Sequence, residues 1–107
     1  MEHELKCWPD FFKAIWANEK HFELRKDDRE FRAGDTLMLR EWSAAKGYSG
    51  RAVRVSVPYL LGGQWPGLQQ GYVVMSIEHE GQFANYRPEN DPEQDGIRTC
   101  FLISKKA

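Results

Sequence analysis

Three closely spaced charged residues, Lys20, Glu23 and Arg25, give this sequence its clearest potential for chemistry. A lysine ammonium beside a carboxylate can bind a phosphate or a base carbonyl, and a desolvated lysine can act as a base or a nucleophile. The planar guanidinium of arginine fits a phosphate or an internal carboxylate, and both roles stay open for Arg25. The three residues are therefore candidates for ligand binding, and Lys20 and Glu23 are also candidates for acid–base catalysis.

These candidates lie in the segment NEKHFELRKDDREF, residues 18–31, whose positive and negative charges nearly cancel. Charged side chains of soluble proteins are mostly solvated, so the rest of the segment is expected to form a solvated loop. Within this loop, Asp28 and Arg29 are expected to pair with each other and fix its shape. Most of the charge in the segment is thus expected to be structural.

Three further residues could extend a binding site. Lys6 could line the same cleft as a second cation, or it could be an exposed strand residue. Arg40 belongs to residues 40–60, which hold four basic residues, one acidic residue and several aromatic rings. Trp65, in the loop GGQWPG, could stack on a base or close one end of a barrel. Cations among aromatic rings suit a single nucleic-acid strand, because its bases stack on rings while its phosphates contact cations.

The composition is that of one soluble domain over residues 1–107. A net charge of −1 disfavours a protein that coats long duplex DNA, but it allows a small nucleotide site. No apolar run approaches the ~20 residues that span a bilayer, and the N-terminus lacks the charge pattern of a signal peptide. The sequence therefore predicts a cytoplasmic protein without membrane contact. Its cysteines and histidines are scattered, so no metal or other cofactor is expected.

The first elements are predicted from the spacing of apolar residues. A helix is predicted over residues 9–18, because a proline opens it and large apolar residues recur at helical spacing. Asn18 is expected to end this helix with a left-handed backbone conformation. In the strand HFELR that follows, Phe22 and Leu24 are expected to face the core and the charged residues the solvent.

The remaining elements are predicted to be strands with short connections. The polar residues 80–96 are expected to form a long loop. Apolar alternation predicts the strands at residues 3–7, 21–25, 36–42, 51–61, 72–79 and 97–103. Together they predict an α+β fold that is mainly β, a small barrel of about six strands with one N-terminal helix covering an end.

The segment NEKHFELR resembles the ASCH-domain signature G-x-K-x-x-E-x-R. Lys20, Glu23 and Arg25 occupy its charged positions. Asn18 takes the place of the glycine, and asparagine also accepts a positive φ. The flanking segments HELKC, DDREF and GDTLMLRE extend the resemblance over about residues 3–77. They are similar to a small bacterial and phage branch of ASCH proteins without an assigned function.

This resemblance implies both a fold and a class of ligand. ASCH domains are similar to PUA domains, which are RNA-binding pseudo-barrels, so a PUA-like pseudo-barrel with a cleft beside the signature is expected. The implied ligand is RNA, another single-stranded nucleic acid or a modified nucleoside. Some ASCH proteins hydrolyse the amide of acetylated cytidine with the signature lysine, a nearby threonine and a glutamate from a later loop. Ribonuclease activity is attributed to others.

Binding is preferred over hydrolysis as the predicted function. Residues 42–77 contain no aspartate or glutamate that could match the later glutamate of the hydrolases. A small hydrolase that uses Lys20 and Glu23, acting on acylated cytidine or on RNA, stays as the alternative. A protein-interaction domain is the third possibility, with the acidic segment of residues 78–96 contacting a partner.

Overall fold

The computed structural model describes residues 1–63 and 65–88 in full and residues 101–104 as a strand. The elements follow one another as β1 (Glu2–Cys7), α1 (Pro9–Trp16), β2 (Phe22–Lys26), β3 (Thr36–Ser43), β4 (Gly47–Ser56), β5 (Leu60–Gly62), β6 (Tyr72–Ser76), β7 (Glu78–Ala84) and β8 (Phe101–Ser104). The predicted α+β class, mainly β with one short N-terminal helix, is confirmed. In this part of the chain no helix is long and apolar enough to cross a membrane.

The strands form two sheets that enclose one core. The larger sheet has the order β1-β3-β4-β7-β8, and the smaller one has the order β2-β6-β5. β1 runs parallel to β3, and the other neighbouring strands are antiparallel. The core between the sheets is aliphatic and aromatic, with Leu39, Val53 and Met75 fully buried. Phe12 and Ile15 of α1 join this core, which packs the helix against β3.

The predicted barrel of about six strands is wrong, because the described strands form two sheets that stay open. Within the described residues, β2 pairs with β6 and not with β1. The outer edge of β1 is instead contacted by arginine side chains: Arg25 Nη2 donates to the carbonyl oxygen of Lys6 at 2.8 Å, and Arg29 Nη1 to that of Glu4 at 2.9 Å. Guanidinium groups thus occupy the place where a paired strand would close the barrel.

Several element boundaries also differ from the predictions. The predicted strand over 51–61 is divided into β4 and β5 around Pro58, a residue that has no backbone N–H for a sheet. The predicted loop at residues 80–96 begins too early, because β7 continues to Ala84 and pairs with β4. Residues 89–96 of that loop, and residues 97–100 of the predicted last strand, lie outside the described residues.

The two faces of β2 are the reverse of the prediction. Phe22 and Leu24 are 50% and 53% exposed, whereas Glu23 is only 3% exposed. The reason is the pairing with β6, which places Glu23 opposite the buried Met75. Residues directly opposite each other in a sheet share a face, so Glu23 faces the core. The usual rule that apolar residues face inward therefore fails in this strand.

Candidate functional site

A tight turn after α1 positions Lys20. The helix ends at Trp16, two residues earlier than predicted, and Asn18 has the predicted left-handed backbone with φ of 60°. The amides of Glu19 and Lys20 both donate to the carbonyl oxygen of Ala14. These bonds fold the chain back against the helix end, so the Lys20 side chain lies beside the first residues of β2.

The buried Glu23 carboxylate organises the predicted charged residues. Lys20 Nζ donates to Glu23 Oε1 at 2.6 Å, and Arg25 Nε donates to Glu23 Oε2 at 2.7 Å. Lys20 Nζ also donates to the carbonyl oxygen of Phe22 at 2.7 Å. A buried carboxylate is costly unless it is paired and hydrogen-bonded, which explains why both of its oxygens have a cationic donor. The structure therefore brings Lys20, Glu23 and Arg25 together in one cluster.

These charges lie at the wall of a cleft of about 410 Å³, which we call the aromatic cleft. It combines three cations, one carboxylate, a thiol and four large apolar side chains. Its lining consists of Lys6, Cys7, Trp8, Phe11, Lys20, Phe22, Glu23, Leu24 and Arg25. Lys6 thus lies in the same cleft as Lys20. With three cations against one carboxylate, the cleft suits an anionic or acceptor-rich ligand.

Half-exposed apolar side chains distinguish this cleft from an ordinary surface. Trp8, Phe11, Phe22 and Leu24 are each exposed by 50% to 55%, although they are among the largest apolar side chains of the protein. A contiguous exposed apolar patch on a soluble protein typically marks a binding site. The rings of these residues supply flat surfaces on which a planar ligand can stack.

Two lysines lie against the aromatic rings. Lys20 Nζ is 4.7 Å from the centre of the Phe22 ring and 5.7 Å from that of Phe11. Lys6 Nζ is 4.4 Å from the centre of the Trp42 ring, which packs edge-on against Trp8 at 5.4 Å. Each of the two lysine ammonium groups therefore lies within cation–π distance of an aromatic ring.

Lys20 and Arg25 keep some hydrogen-bond donors that a ligand can use. An ammonium has three donors and a guanidinium has five. Lys20 uses two of its donors on Glu23 and Phe22, and Arg25 uses Nε and Nη2 on Glu23 and the Lys6 carbonyl. Within the described part of the chain, one Lys20 donor and the Arg25 Nη1 group have no protein acceptor. These groups can receive a phosphate oxygen or a base carbonyl.

Cys7 lies on the floor of the cleft but is poorly suited to be a nucleophile. It is a free cysteine and is 2% exposed. Burial, reinforced by the negative charge of Glu23, raises the pKa of the Cys7 thiol to about 12. Because the thiolate is the reactive form, almost all of this cysteine stays protonated at neutral pH.

The other predicted site residues lie elsewhere. Arg40 is 8% exposed, donates to Glu4 Oε1 at 3.0 Å, and stacks on Tyr48 at 3.5 Å. Trp65 lines a separate cavity of about 440 Å³ together with Asp27 and other residues. Neither residue lines the aromatic cleft.

Two further predictions concern groups outside the cleft. The predicted Asp28–Arg29 ion pair is absent from the described contacts, because Arg29 donates to the β1 edge instead. Of the acidic segment over 78–96, Glu78 and Glu80 lie in β7, and residues 89–96 are outside the described part. Among residues 1–63 and 65–88, no group of three or more histidine, cysteine or acidic residues could hold a metal ion.

Sequence reasoning missed the apolar half of the site. Helical spacing puts Trp8 and Phe11 in the apolar stripe of the predicted helix, and alternation predicts Phe22 and Leu24 on the core face of β2. The sequence carries no local signal for the exposure of Phe22 and Leu24, because alternation marks two faces of β2 and only the pairing with β6 decides which face lies outward.

The chain belongs to the family described as a domain of unknown function (DUF3850), whose match covers residues 2–77. This range contains every residue of the aromatic cleft. An uncharacterized 12.9 kDa protein in the GpA 3′ region of Escherichia phage P2 is 36% identical over 55 residues. The alignment covers 51% of this chain and 50% of the phage protein, so about half of each chain is compared. The domain therefore has a relative in a phage.

Proposed function

We propose that this DUF3850 protein binds single-stranded nucleic acid, or a modified nucleoside within it, in the aromatic cleft. The observation that carries the proposal is the row of half-exposed rings beside two oriented cations. Base–aromatic stacking contributes about 1–3 kcal/mol per base, and cations beside the rings attract the phosphates. Rings that were only structural would be expected in the core, where burial stabilises them.

The resemblance to ASCH domains supports the same proposal. The three signature residues Lys20, Glu23 and Arg25 share one cluster, and the cluster adjoins a cleft. In a duplex the faces of the bases are already stacked, so exposed rings favour a strand with unstacked bases. Under this proposal the domain is an ASCH-like, PUA-related module, and its ligand is RNA or another single strand.

Binding should depend on Lys6 and Lys20 and on salt. We expect Lys6→Ala and Lys20→Ala each to weaken the binding of a short single-stranded RNA about tenfold, because each removes a cation from the cleft. The slope of log affinity against log salt should become shallower by about 0.7 for each phosphate that the variant no longer binds. Fluorescence anisotropy at several salt concentrations measures both quantities.

Lys13→Ala is the matched control, because Lys13 is an exposed lysine of α1 that does not line the aromatic cleft. Its affinity should equal that of the parent protein. Lys6 makes no side-chain hydrogen bond within the described residues, so Lys6→Ala also tests the cleft without breaking the Glu23 cluster. Equal affinities of Lys6→Ala, Lys20→Ala and Lys13→Ala would contradict the proposal.

Hydrolysis is a second candidate, because Lys20 and Glu23 are in direct contact at 2.6 Å. A general base must be accessible to the proton that it removes. Glu23 is 3% exposed, and both of its oxygens already accept bonds from cations, which disfavours that role. Turnover of acetylated cytidine or RNA that disappears in both Lys20→Ala and Glu23→Gln would replace the binding proposal with a hydrolase.

A further inference from the structure

A second groove adjoins the aromatic cleft and shares part of its wall. This basic groove has a volume of about 430 Å³ and lies along the outer edge of β1. Lys6 and Arg25 line both cavities, so they stand at the boundary between them. A ligand that contacts these two residues from the cleft has a direct path into the groove.

The basic groove carries a positive charge of its own. Lys26 and Arg29 add to the two shared cations, against the carboxylates of Glu4 and Asp28. The Glu4 carboxylate accepts hydrogen bonds from Arg40 Nη1 at 3.0 Å and from the Tyr86 hydroxyl at 3.0 Å. Its negative charge is therefore largely compensated by Arg40, and the groove attracts anions.

The arginines of the basic groove are held in a row. Arg25 and Arg29 donate to the carbonyl oxygens of Lys6 and Glu4, which are two residues apart on β1. Two residues of a strand span about 6.6 Å, a spacing similar to that of successive phosphates in an extended strand. The edge of β1 therefore holds two guanidinium groups on carbonyl oxygens whose spacing suits a polynucleotide backbone.

An aromatic ring lies at the far wall of the basic groove. Tyr48 is 43% exposed, and one face of its ring is stacked on the Arg40 guanidinium at 3.5 Å. The stacked arginine holds the ring in place, as in other cation–aromatic contacts. The opposite face of the ring is thus a second stacking surface, which belongs to the basic groove and not to the aromatic cleft.

We infer that the ligand is an oligonucleotide strand rather than a single nucleoside. Its bases fill the aromatic cleft, its backbone crosses Lys6 and Arg25, and it continues into the basic groove toward Tyr48. This inference rests on the proposed function and adds Lys26, Arg29 and Tyr48 to the contacts. The alternation of rings and cations favours a polynucleotide over an acidic peptide, which supplies the charge but no bases.

The test compares the affinities of ligands of different length. We expect an RNA of about eight nucleotides to bind at least tenfold more tightly than a dinucleotide, because only the longer strand reaches both cavities. Lys26→Ala and Tyr48→Leu should weaken binding of the longer RNA about threefold each and leave dinucleotide binding unchanged. The controls are Lys13→Ala and Tyr59→Ala, whose side chains are exposed and line neither cavity. A DNA strand of the same sequence shows whether the ribose contributes.

Two results would overturn the inference. If the dinucleotide binds as tightly as the longer RNA, the ligand is confined to the aromatic cleft, and the proposed function alone survives. If an oligoglutamate peptide of equal charge displaces labelled RNA as effectively as unlabelled RNA does, the groove binds anions through charge alone and makes no contact with the bases. Absence of binding to any nucleic acid would reject the proposed function together with this inference.

Discussion

At the scale of single residues, the unusual feature is a buried carboxylate between two cations that are only partly exposed. Glu23 faces the core through the pairing of β2 with β6, while Lys20 and Arg25 bring their charges to it from the cleft wall. The side-chain exposures are 4% for Glu23, 14% for Lys20 and 26% for Arg25. The carboxylate therefore orients the two cations at the wall of the cleft, where the proposed ligand would contact them.

The cluster gives a prediction about stability. Removing both cations, with Lys20→Met and Arg25→Met, should lower the free energy of unfolding by about 3 kcal/mol, since it leaves a buried carboxylate without a partner. Adding Glu23→Gln should then raise the stability by at least about 1 kcal/mol, because no buried charge remains. Urea denaturation measures both changes. If adding Glu23→Gln lowers the free energy of unfolding further, this account of Glu23 is contradicted.

The signature residues were predictable from the sequence, but their environment was not. Spacing and family resemblance singled out Lys20, Glu23 and Arg25 as one group. They could not show that Glu23 is buried while Phe22 and Leu24 are exposed, since alternation defines two faces without saying which of them meets the core. That choice depends on β6, about fifty residues later in the chain.

At the scale of elements, the edge of β1 decides the shape of the site. A free edge strand presents unpaired backbone groups that invite pairing with another chain. Arg25 and Arg29 cover two carbonyl groups of this edge with charged side chains. These bonds protect the edge from pairing with another chain. The seam between the sheets, where β1 and β2 do not pair, stays open to the proposed ligand.

Arg29→Ala tests this protection. We expect the variant to lose less than about 1 kcal/mol of stability, because the bond lies at an exposed site. We also expect it to associate more strongly than the parent protein, since part of the β1 edge becomes available. Sedimentation velocity at several concentrations measures the association. Arg32→Ala is the control, because Arg32 is an exposed arginine of the same loop outside the groove. Equal association of the two variants would reject the protective role.

The helix and most of the strands were predictable from the sequence. Whether the strands close into a barrel was not. Helical spacing located α1, and Asn18 marked the turn that ends it. Period-two alternation located most strands, although it missed the interruption at Pro58 and the start of β7. Pairing between strands depends on contacts between distant segments, so local patterns could not distinguish an open seam from a barrel.

At the scale of the whole molecule, the two cavities lie along the seam where the sheets do not close. The aromatic cleft lies beside α1 and β2, the basic groove follows β1, and Lys6 and Arg25 join them. The fold thus supplies one continuous surface that begins with rings and continues with cations. The alternation of apolar residues predicted the mainly β class, but a net charge of −1 concealed this local concentration of positive charge.

The most direct test of the central claim compares two aromatic substitutions. Phe22→Ala removes a ring from the aromatic cleft, and Tyr59→Ala removes an exposed ring outside it. The affinity for a short single-stranded RNA, measured by fluorescence anisotropy, should fall at least fivefold in Phe22→Ala, because stacking contributes about 1–3 kcal/mol per base. It should be unchanged in Tyr59→Ala. Equal affinities in the two variants would show that the exposed rings of the cleft do not bind the nucleic acid.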